Sequence, residues 1–467
     1  MFGDVLGALK GGGGGDGVNL ALDISLGSVW EDLASSLHAK QTPSERAFRA
    51  DVAKGTVSSP FNRVHLFNGD TEEDCRVTLY RDSASWCPYC QKVWTMLEQK
   101  EISYKVVKVN MRCYGSKPAE FTRLQPNGNI PVAVIDGTVY RQSNDIMFAL
   151  EKEFPDKVVM GLGEEDGERG TMLLHLEREL FRKWMYYLTG SRDKERYRAE
   201  FLDVFKRVDD ELGVNKSGRG FMLGDRVTIV DMMYAPFLER IVASMAYFKG
   251  LTTLRSDEFS NVQRWFEAME RLPSYRLTKS DFYTHCWDLP PQLGGCVYEY
   301  GEDEGRGEEI TRAIDGDEGW RLPLSPDNGG VEKDWSWISE DEAKREAAER
   351  LSYNHDAVAE FAARGAGKAG FPPVSAPLAD PNANFDEGIV QAVDAALALS
   401  CYKLLGGGKM VDELEVAIAK VLEKQADAER FRASLAYLRD RVGVPRDMSL
   451  PAARWTRAII NEIINMK

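Results

Sequence analysis

The clearest hydrophobic pattern in the chain lies between residues 77 and 154, where short apolar runs alternate with helical repeats. Four runs have the length and alternation of strands, and Asp136-Gly137 forms a tight turn between the last two: 77–80, 104–109, 132–135 and 138–140. Helical segments are predicted at 118–124 and from Ser143 through Phe154. With one more helix after the first run, the predicted order is β-α-β-α-β-β-α.

Downstream of a Gly-rich acidic segment at 161–167, which we interpret as a linker, the pattern becomes entirely helical. Apolar residues recur at three- and four-residue steps from Leu173 to Leu188, which predicts one buried helix face. Further on, Thr228 followed by Asp231 predicts a near capping box at the start of another helix.

The region after residue 300 also reads as helical, although its opening is different. Residues 302–319 are acidic and Gly-rich, which predicts a mobile connection. Ser339 with Glu342 predicts a capping box that opens a helix toward Arg364. Gly406 to Lys409 is interpreted as a helix break. Further helices are predicted at 386–404, 411–441 and 451–466.

Composition narrows the classes of protein. At 467 residues the chain is long enough for about three domains, and its net charge of −15 argues against nucleic acid as a partner. Seven cysteines, an odd number, suit a reducing intracellular compartment. No apolar run reaches the ~20 residues of a membrane span, so no membrane partner is expected. Residues 1–73 are assigned to an N-terminal extension, either a simple extension or the remnant of a processed plastid protein.

The candidate chemistry lies in Trp86-Cys87-Pro88-Tyr89-Cys90, between the first strand and the next helix. A cysteine at a helix N-terminus meets unpaired N–H groups and the positive end of the helix dipole, which favours its thiolate. Pro88 suits the first helical position because no intrahelical partner is lost there. Cys87 is therefore the predicted nucleophile, and Cys90, one turn inside, is expected to stay protonated.

Two other uses of a Cys-x-x-Cys are disfavoured. A zinc site needs four ligands, yet the remaining five cysteines form no second pair and the five histidines are scattered, so no metal is expected. A structural disulfide closing so small a loop would remove little entropy from the unfolded chain.

Three motifs in one order, Cys87-Pro88-Tyr89-Cys90, Ile130-Pro131 and Gln142-Ser143-Asn144-Asp145-Ile146, resemble the glutathione-binding domain of a glutathione transferase with a glutaredoxin-type active site. The resemblance implies glutathione as cosubstrate. It also implies a cis Pro131 and an Ile130 main chain that pairs with the cysteinyl part of glutathione.

The stretch around Lys117-Pro118 is similar to omega-type transferases, which implies that Lys117 contacts the glycine carboxylate of glutathione. Gln142 and Ser143 would hold the γ-glutamyl end, although the family more often has a carboxylate at the position of Gln142. A plain N-cap is the alternative for Ser143. By the same resemblance the binding set also includes Pro88, Tyr89, Asn129 and Pro131.

The chain continues well beyond the two domains of a conventional transferase, and this narrows the resemblance to one class of the family. With Ala84-Ser85-Trp86 before the motif, Met111 to Gly115 after the second strand, and residues 438–448 near the end, the chain resembles iota-class transferases of cyanobacteria, algae and non-vascular plants. Those proteins carry a third, C-terminal helical domain. They usually have tryptophan where this chain has Tyr89.

The predicted fold is therefore α/β plus all-α, with four divisions of the chain. An N-terminal extension (1–73) precedes a thioredoxin-like glutathione-binding domain (74–155), a helical glutathione transferase C-terminal domain (170–290) and an additional helical domain of unknown role (300–467). The resemblance also allows a homodimer.

The predicted function is a glutathione-dependent thiol transferase that reduces mixed disulfides or dehydroascorbate through Cys87, in the cytosol or plastid stroma. One alternative is conjugation of glutathione to electrophiles, with Tyr80 or Ser85 activating the glutathione sulfur. Their other interpretations are strand packing and loop capping. A second alternative is a ligand carrier or interaction protein without catalysis. A side-by-side assay of mixed-disulfide reduction and of glutathione conjugation to a chlorinated nitrobenzene distinguishes these three functions.

Overall fold

The computed structural model describes residues 25–156, 159, 167–214, 220–300, 304–317, 319–374, 378 and 380–467. All of the predicted linker except Gly167 lies outside these residues. The strands are β1 (Val64–His65), β2 (Val77–Asp82), β3 (Tyr104–Val109), β4 (Val132–Ile135) and β5 (Thr138–Tyr140). The α-helices are α1 (Leu26–Lys40), α2 (Pro43–Lys54), α3 (Pro88–Lys100), α4 (Ala119–Leu124), α5 (Ser143–Glu153), α6 (Gly167–Thr189), α7 (Lys194–Val214), α8 (Ile229–Lys249), α9 (Ser260–Met269), α10 (Pro273–Thr278), α11 (Phe282–Leu293), α12 (Glu304–Asp315), α13 (Glu340–Ser352), α14 (His355–Ala363), α15 (Val390–Leu404), α16 (Val411–Leu422), α17 (Gln425–Arg439) and α18 (Leu450–Ile464).

The chain divides into two compact units. The first, here called the sheet unit because it contains the β-sheet, comprises residues 49–112 and 116–311, and the second, the C-terminal unit, comprises in its described part residues 25–48, 113–115 and 312–467. The predicted N-terminal extension is thus shared between them in its described part.

The β-sheet of the sheet unit has the order β1-β3-β2-β4-β5. β2 runs parallel to β3 and antiparallel to β4, so that Leu79 pairs with Val106 on one side and Ala133 on the other. The mixed sheet with its helices is thioredoxin-like, which confirms the predicted fold class and order. β1 pairs antiparallel to β3 and was not predicted, because two residues are too few to show a strand period.

The helical part of the sheet unit surrounds α8, whose residues are all buried. The capping box at its start is confirmed: Asp231 accepts from the backbone N–H of Thr228 at 2.8 Å and from its hydroxyl at 2.9 Å. A helix that is buried on every side needs neighbours all round, and α3, α6 and α11 pack against it. α7, between α6 and α8, was not predicted.

The C-terminal unit is helical, as predicted, and α1 packs into its core through Val29, Trp30, Leu33 and Leu37. The core also contains most of α15, a helix built largely from alanine, leucine and valine. The predicted break after α15 is confirmed, because Gly406 and Gly407 take φ values of 84° and 103° that suit glycine.

Three predictions for the residues beyond 300 were wrong. Residues 304–315 form α12 rather than a mobile connection, because Ile310 and Ile314, four residues apart, are both buried. The helix expected to reach Arg364 divides into α13 and α14 where Asn354 leaves the helical conformation (φ −141°, ψ 55°). The one expected over 411–441 divides into α16 and α17 at the extended Lys424.

Within the described part of the chain, no helix has both the length and the apolar character that crossing a membrane requires.

Candidate functional site

The Cys-Pro-Tyr-Cys motif lies where β2 gives way to α3. Cys87 is the N-cap residue of α3 and Pro88 is its first helical residue, as the sequence predicted. Both motif cysteines are buried and carry free thiols. Cys87 therefore stands at the end of the helix where backbone N–H groups are unpaired.

The loop before Cys87 is fixed by two buried charged residues. The Asp82 carboxylate accepts hydrogen bonds from the backbone N–H groups of Trp86 and Cys87, the latter at 3.0 Å. The Arg81 guanidinium donates to the Ser85 hydroxyl at 2.9 Å, and its carbon lies 4.1 Å from the centre of the Trp94 ring. Sequence reasoning missed both residues because they follow the predicted apolar run 77–80, at the end of β2.

The surroundings of the Cys90 thiol favour its protonated form. Burial raises the pKa of the Cys90 thiol well above its usual value, and its hydrogen bond to Cys87 acts in the same direction. Cys90 therefore keeps its proton, as predicted, and is the donor in that bond. This leaves Cys87 as the sulfur suited to attack.

Tyr89 forms the exposed edge of the motif. Its ring meets Phe237 of α8 edge-on, with centroids 5.8 Å apart. The Arg178 guanidinium lies 4.9 Å from the centre of the Phe237 ring, and burial raises the pKa of Tyr89 despite this cation. An aromatic surface with a cation at its margin therefore lies beside the motif.

The structure gives the predicted Ile130-Pro131 peptide the cis conformation. Pro131 is buried, Ile130 is half-buried and Asn129 is exposed, with its backbone N–H donating to the Asn127 side chain at 2.9 Å. The loop therefore has the backbone form that the resemblance implied.

Lys117 precedes this loop, and its ammonium donates to the Asn110 carbonyl. Its stem passes under Gly128, whose φ of 72° favours glycine; a Cβ there would lie 3.3 Å from Lys117 Cε. Lys117 is thus held beside the predicted glutathione-binding loop. Its role toward glutathione stays a prediction.

Gln142 and Ser143 lie at the start of α5. Gln142 occupies the N-cap position without a side-chain capping bond, and Ser143 is the first helical residue and buried. The plain N-cap interpretation of Ser143 is therefore wrong, because its neighbour takes that position. The predicted anion-binding role of this helix start remains open to test.

Lys92 is a buried charged residue of α3 that the sequence analysis missed. It is buried in α3, donates to Asn144 Oδ1 at 2.7 Å, and lies 3.3 Å from Met233 Sδ. Burial lowers its pKa to about 8, while the nearby Glu177 and Cys87 oppose that shift. The sequence did carry one signal for its burial, because Lys92 stands next to Val93 among the apolar residues of α3.

The two hydroxyls considered for conjugation have other partners. Ser85 accepts the hydrogen bond from Arg81, and the Tyr80 ring packs on Phe121 with centroids 5.8 Å apart. These contacts match the loop-capping and strand-packing interpretations.

Among the described residues, His355, Asp356 and Asp394 of the C-terminal unit have the spacing of metal ligands, with ligand atoms within 4.8 Å of one another. His355 Nδ1 and Asp394 Oδ1 already bond to each other at 2.8 Å. We interpret this group as a hydrogen-bonded cluster.

Comparison with known families supports the arrangement. Residues 86–153 match the family model for the glutathione S-transferase N-terminal domain, and residues 193–268 match the one for the C-terminal domain. The first match begins one residue before Cys87, and the second includes all of α7 and α8.

Individual transferases are similar over the same region. Glutathione S-transferase DHAR2 of Arabidopsis thaliana is 23% identical over 194 residues, which cover 42% of this chain and 84% of the relative. The chloroplastic DHAR3 of the same plant is also 23% identical, over 42% of this chain and 69% of its own. Among solved structures, Chlamydomonas reinhardtii dehydroascorbate reductase is 20% identical, with a TM-score of 0.38 over 44% of this chain and 93% of its own.

Proposed function

We propose that this protein is a glutathione-dependent thiol transferase that reduces mixed disulfides or dehydroascorbate through Cys87. The observation that carries the proposal is the pairing of Cys87, at the start of α3, with a Cys90 thiol that keeps its proton and bonds to it. A thiolate is the attacking species in thiol–disulfide exchange, and a helix start favours one.

In the first step the Cys87 thiolate attacks the glutathione sulfur of a mixed disulfide. The old S–S bond breaks, the substrate leaves as a thiolate that takes a proton, and a Cys87–glutathione disulfide remains. A second glutathione thiolate then attacks the glutathione sulfur of this adduct. Glutathione disulfide leaves and the Cys87 thiolate returns, so that one disulfide has been exchanged for another.

Dehydroascorbate fits the same site with a different first step. Cys87 adds to a carbonyl carbon, and glutathione then attacks the Cys87 sulfur, which expels ascorbate and leaves the Cys87–glutathione disulfide. Two glutathione molecules supply the two electrons. The names of the DHAR-type relatives support this substrate.

We assign glutathione binding to Lys117, Asn129, the Ile130 main chain with Pro131, and the start of α5 at Gln142 and Ser143. Pro88 and Tyr89 would border the bound sulfur. The cis Ile130-Pro131 peptide and the position of Lys117 beside Gly128 support this set. Gln142 offers the ammonium a neutral acceptor, so its contact carries less charge assistance than a carboxylate would.

We further propose that the chain belongs to the iota class, from a photosynthetic organism, with the divisions 1–73, 74–155, 170–290 and 300–467. The helical residues beyond 304 support the extra domain. A reducing compartment, cytosol or plastid stroma, suits a site that depends on free thiols, and the resemblance allows a homodimer.

The test is a side-by-side assay of the full chain. Glutathione-dependent turnover is measured with a glutathione mixed disulfide, with dehydroascorbate and with a chlorinated nitrobenzene. We expect reduction of the first two to exceed conjugation of the third. Conjugation alone would move the function to Tyr80 or Ser85. Micromolar binding of aromatic ligands without any turnover would establish a carrier.

A further inference from the structure

The residues on both sides of the Cys-Pro-Tyr-Cys motif are held by the buried helices of the same unit. On the N-terminal side, the Trp86 indole N–H donates to His285 Nδ1 at 3.0 Å. On the C-terminal side, the Gln91 amide donates to Glu239 Oε1 at 2.9 Å. α8 and α11 therefore reach the motif at its two ends.

These bonds close into a ring. His285 Nε2 lies 3.3 Å from Glu239 Oε2, and Arg240 donates to Gln91 Oε1 at 3.0 Å. Arg240 also donates to the Trp86 carbonyl, and its guanidinium carbon lies 4.5 Å from the centre of the Trp86 ring. All five residues are at most 5% exposed. Water therefore has little access to replace any of these bonds.

The hydrogen bonds of the ring fix the tautomer of His285. Because His285 Nδ1 accepts from Trp86, its proton must lie on Nε2, which then donates to Glu239. Burial, followed by the Arg240 charge, lowers the pKa of His285 to about 4, so the imidazole stays neutral. Among the polar atoms of these five side chains, only Nε of Arg240 is buried without a hydrogen-bond partner, and a network bonded this fully holds its members in place.

We propose that Glu239, Arg240 and His285 are positioning residues that clamp both flanks of the motif and so fix the Cys87 sulfur for attack. The inference deepens the proposed function and rests on it for the identity of the attacking sulfur. A rigid helix platform matters because displacing a reacting atom by about 1 Å can cost on the order of a hundredfold in rate. The thioredoxin-like part alone lacks this clamp.

Three substitutions test the clamp. His285→Leu removes both histidine bonds, whereas His285→Gln keeps an acceptor for Trp86 and a donor for Glu239. Trp86→Phe removes the indole N–H and keeps a ring over Arg240. The matched control is Trp184→Phe, which removes an equally buried indole bond to Ser244 of α8, 2.9 Å long and remote in sequence from the motif.

The principal readout is the rate at which Cys87 is alkylated across a pH series without glutathione, with circular dichroism as a check of folding. We expect His285→Leu and Trp86→Phe to slow alkylation about tenfold, with His285→Gln and Trp184→Phe within about twofold of the parent protein. With glutathione and a mixed disulfide, kcat should fall while the glutathione KM changes less than about twofold.

Parent rates in folded Trp86→Phe and His285→Leu would overturn the proposal. Should His285→Leu fail to fold, Trp86→Phe decides. An equal loss in Trp184→Phe would also overturn it, because the effect would then be general loosening of the helices. Slow alkylation in the variants, combined with a parent protein that reduces no disulfide, would leave the clamp standing and remove the proposed function.

Discussion

Two buried tryptophans, one in each unit, donate their indole N–H into clusters of a histidine and a carboxylate. In the sheet unit the order is tryptophan to histidine to carboxylate, with Trp86 bonded to His285. In the C-terminal unit the carboxylate stands in the middle, because Asp394 accepts from Trp30 at 3.0 Å and bonds to His355 at 2.8 Å.

The clusters differ in exposure and in their neighbours. The His285 side chain is 1% exposed and that of His355 is 24% exposed. Trp86 directly precedes Cys87, whereas Trp30 belongs to α1, which it helps to anchor on α15. Cys401, on the same helix as Asp394, has its thiol pKa raised by burial. Similar residues thus lie beside the Cys-Pro-Tyr-Cys motif in one unit and dock a helix in the other.

The largest expected effect is on turnover, and it is tested by replacing one cysteine in each unit. Cys87→Ser should lower disulfide and dehydroascorbate reduction by at least about a hundredfold, because the attacking sulfur is gone. Cys401→Ser should leave turnover within about twofold. Steady-state assays of both variants check this, and near-parent activity in Cys87→Ser would overturn the mechanism.

The next effect concerns pH. The unfolded chain protonates its histidines near 6.5, whereas folded His285 does so only near 4, so its stabilising contribution is complete above pH 6.5 and is lost as the pH falls toward 4. Near pH 5 the loss is roughly 2 kcal/mol. Hydrogen-exchange protection of α8 and α11 should fall over this window in the parent protein and stay flatter in His285→Gln. Equal pH dependence in the two proteins would contradict the burial of a neutral imidazole.

A smaller effect is expected at the proposed glutathione site. Lys117→Ala should raise the glutathione KM about tenfold, because a charge-assisted bond contributes roughly 1.5–3 kcal/mol. Cys87 alkylation should persist, since Lys117 is assigned to the far end of the tripeptide. Lys344→Ala, in the C-terminal unit, is the control. An unchanged glutathione dependence would remove Lys117 from the site.

In the C-terminal unit, we expect removal of the tryptophan hydrogen bond to lower stability without changing turnover. Trp30→Phe leaves a buried Asp394 oxygen without its donor, at a cost of about 1–3 kcal/mol. Protection of α1 against hydrogen exchange should decrease while disulfide turnover stays at the parent level. A fall in turnover would show that this cluster also serves the active site.

The sequence predicted the parts of the molecule that depend on local pattern. The strands of β2 to β5, the capping box of Thr228 and Asp231, and the N-cap position of Cys87 follow from periodicity and helix-end chemistry within a few residues. β1 was missed because His65 and its neighbour pair with β3 at a distance in the chain, and two residues show no period.

The clamp could not be predicted for a related reason. Trp86 and His285 are 199 residues apart, and one sequence carries no signal for a pairing over that distance. A buried Arg240 and Glu239 also read as an ordinary polar face of a helix. The docking of α1 could not be predicted either, because an amphipathic pattern indicates that one face is buried but does not identify the helix against which it packs.

The smallest expected effect belongs to the second cysteine of the motif. Cys90→Ser should keep mixed-disulfide turnover within about threefold of the parent protein, because a second glutathione resolves the adduct. A hydroxyl can still donate toward Cys87. A loss as large as that of Cys87→Ser would instead show that Cys90 resolves the adduct by a dithiol route.

The most direct test of the central claim is peptide mass spectrometry of the Cys90→Ser variant after reaction with glutathione disulfide. The mechanism predicts one glutathione, bound through a disulfide to Cys87, which added glutathione removes at a rate fast enough for turnover. An unmodified Cys87, or an adduct on another cysteine while turnover continues, would contradict Cys87 as the nucleophile.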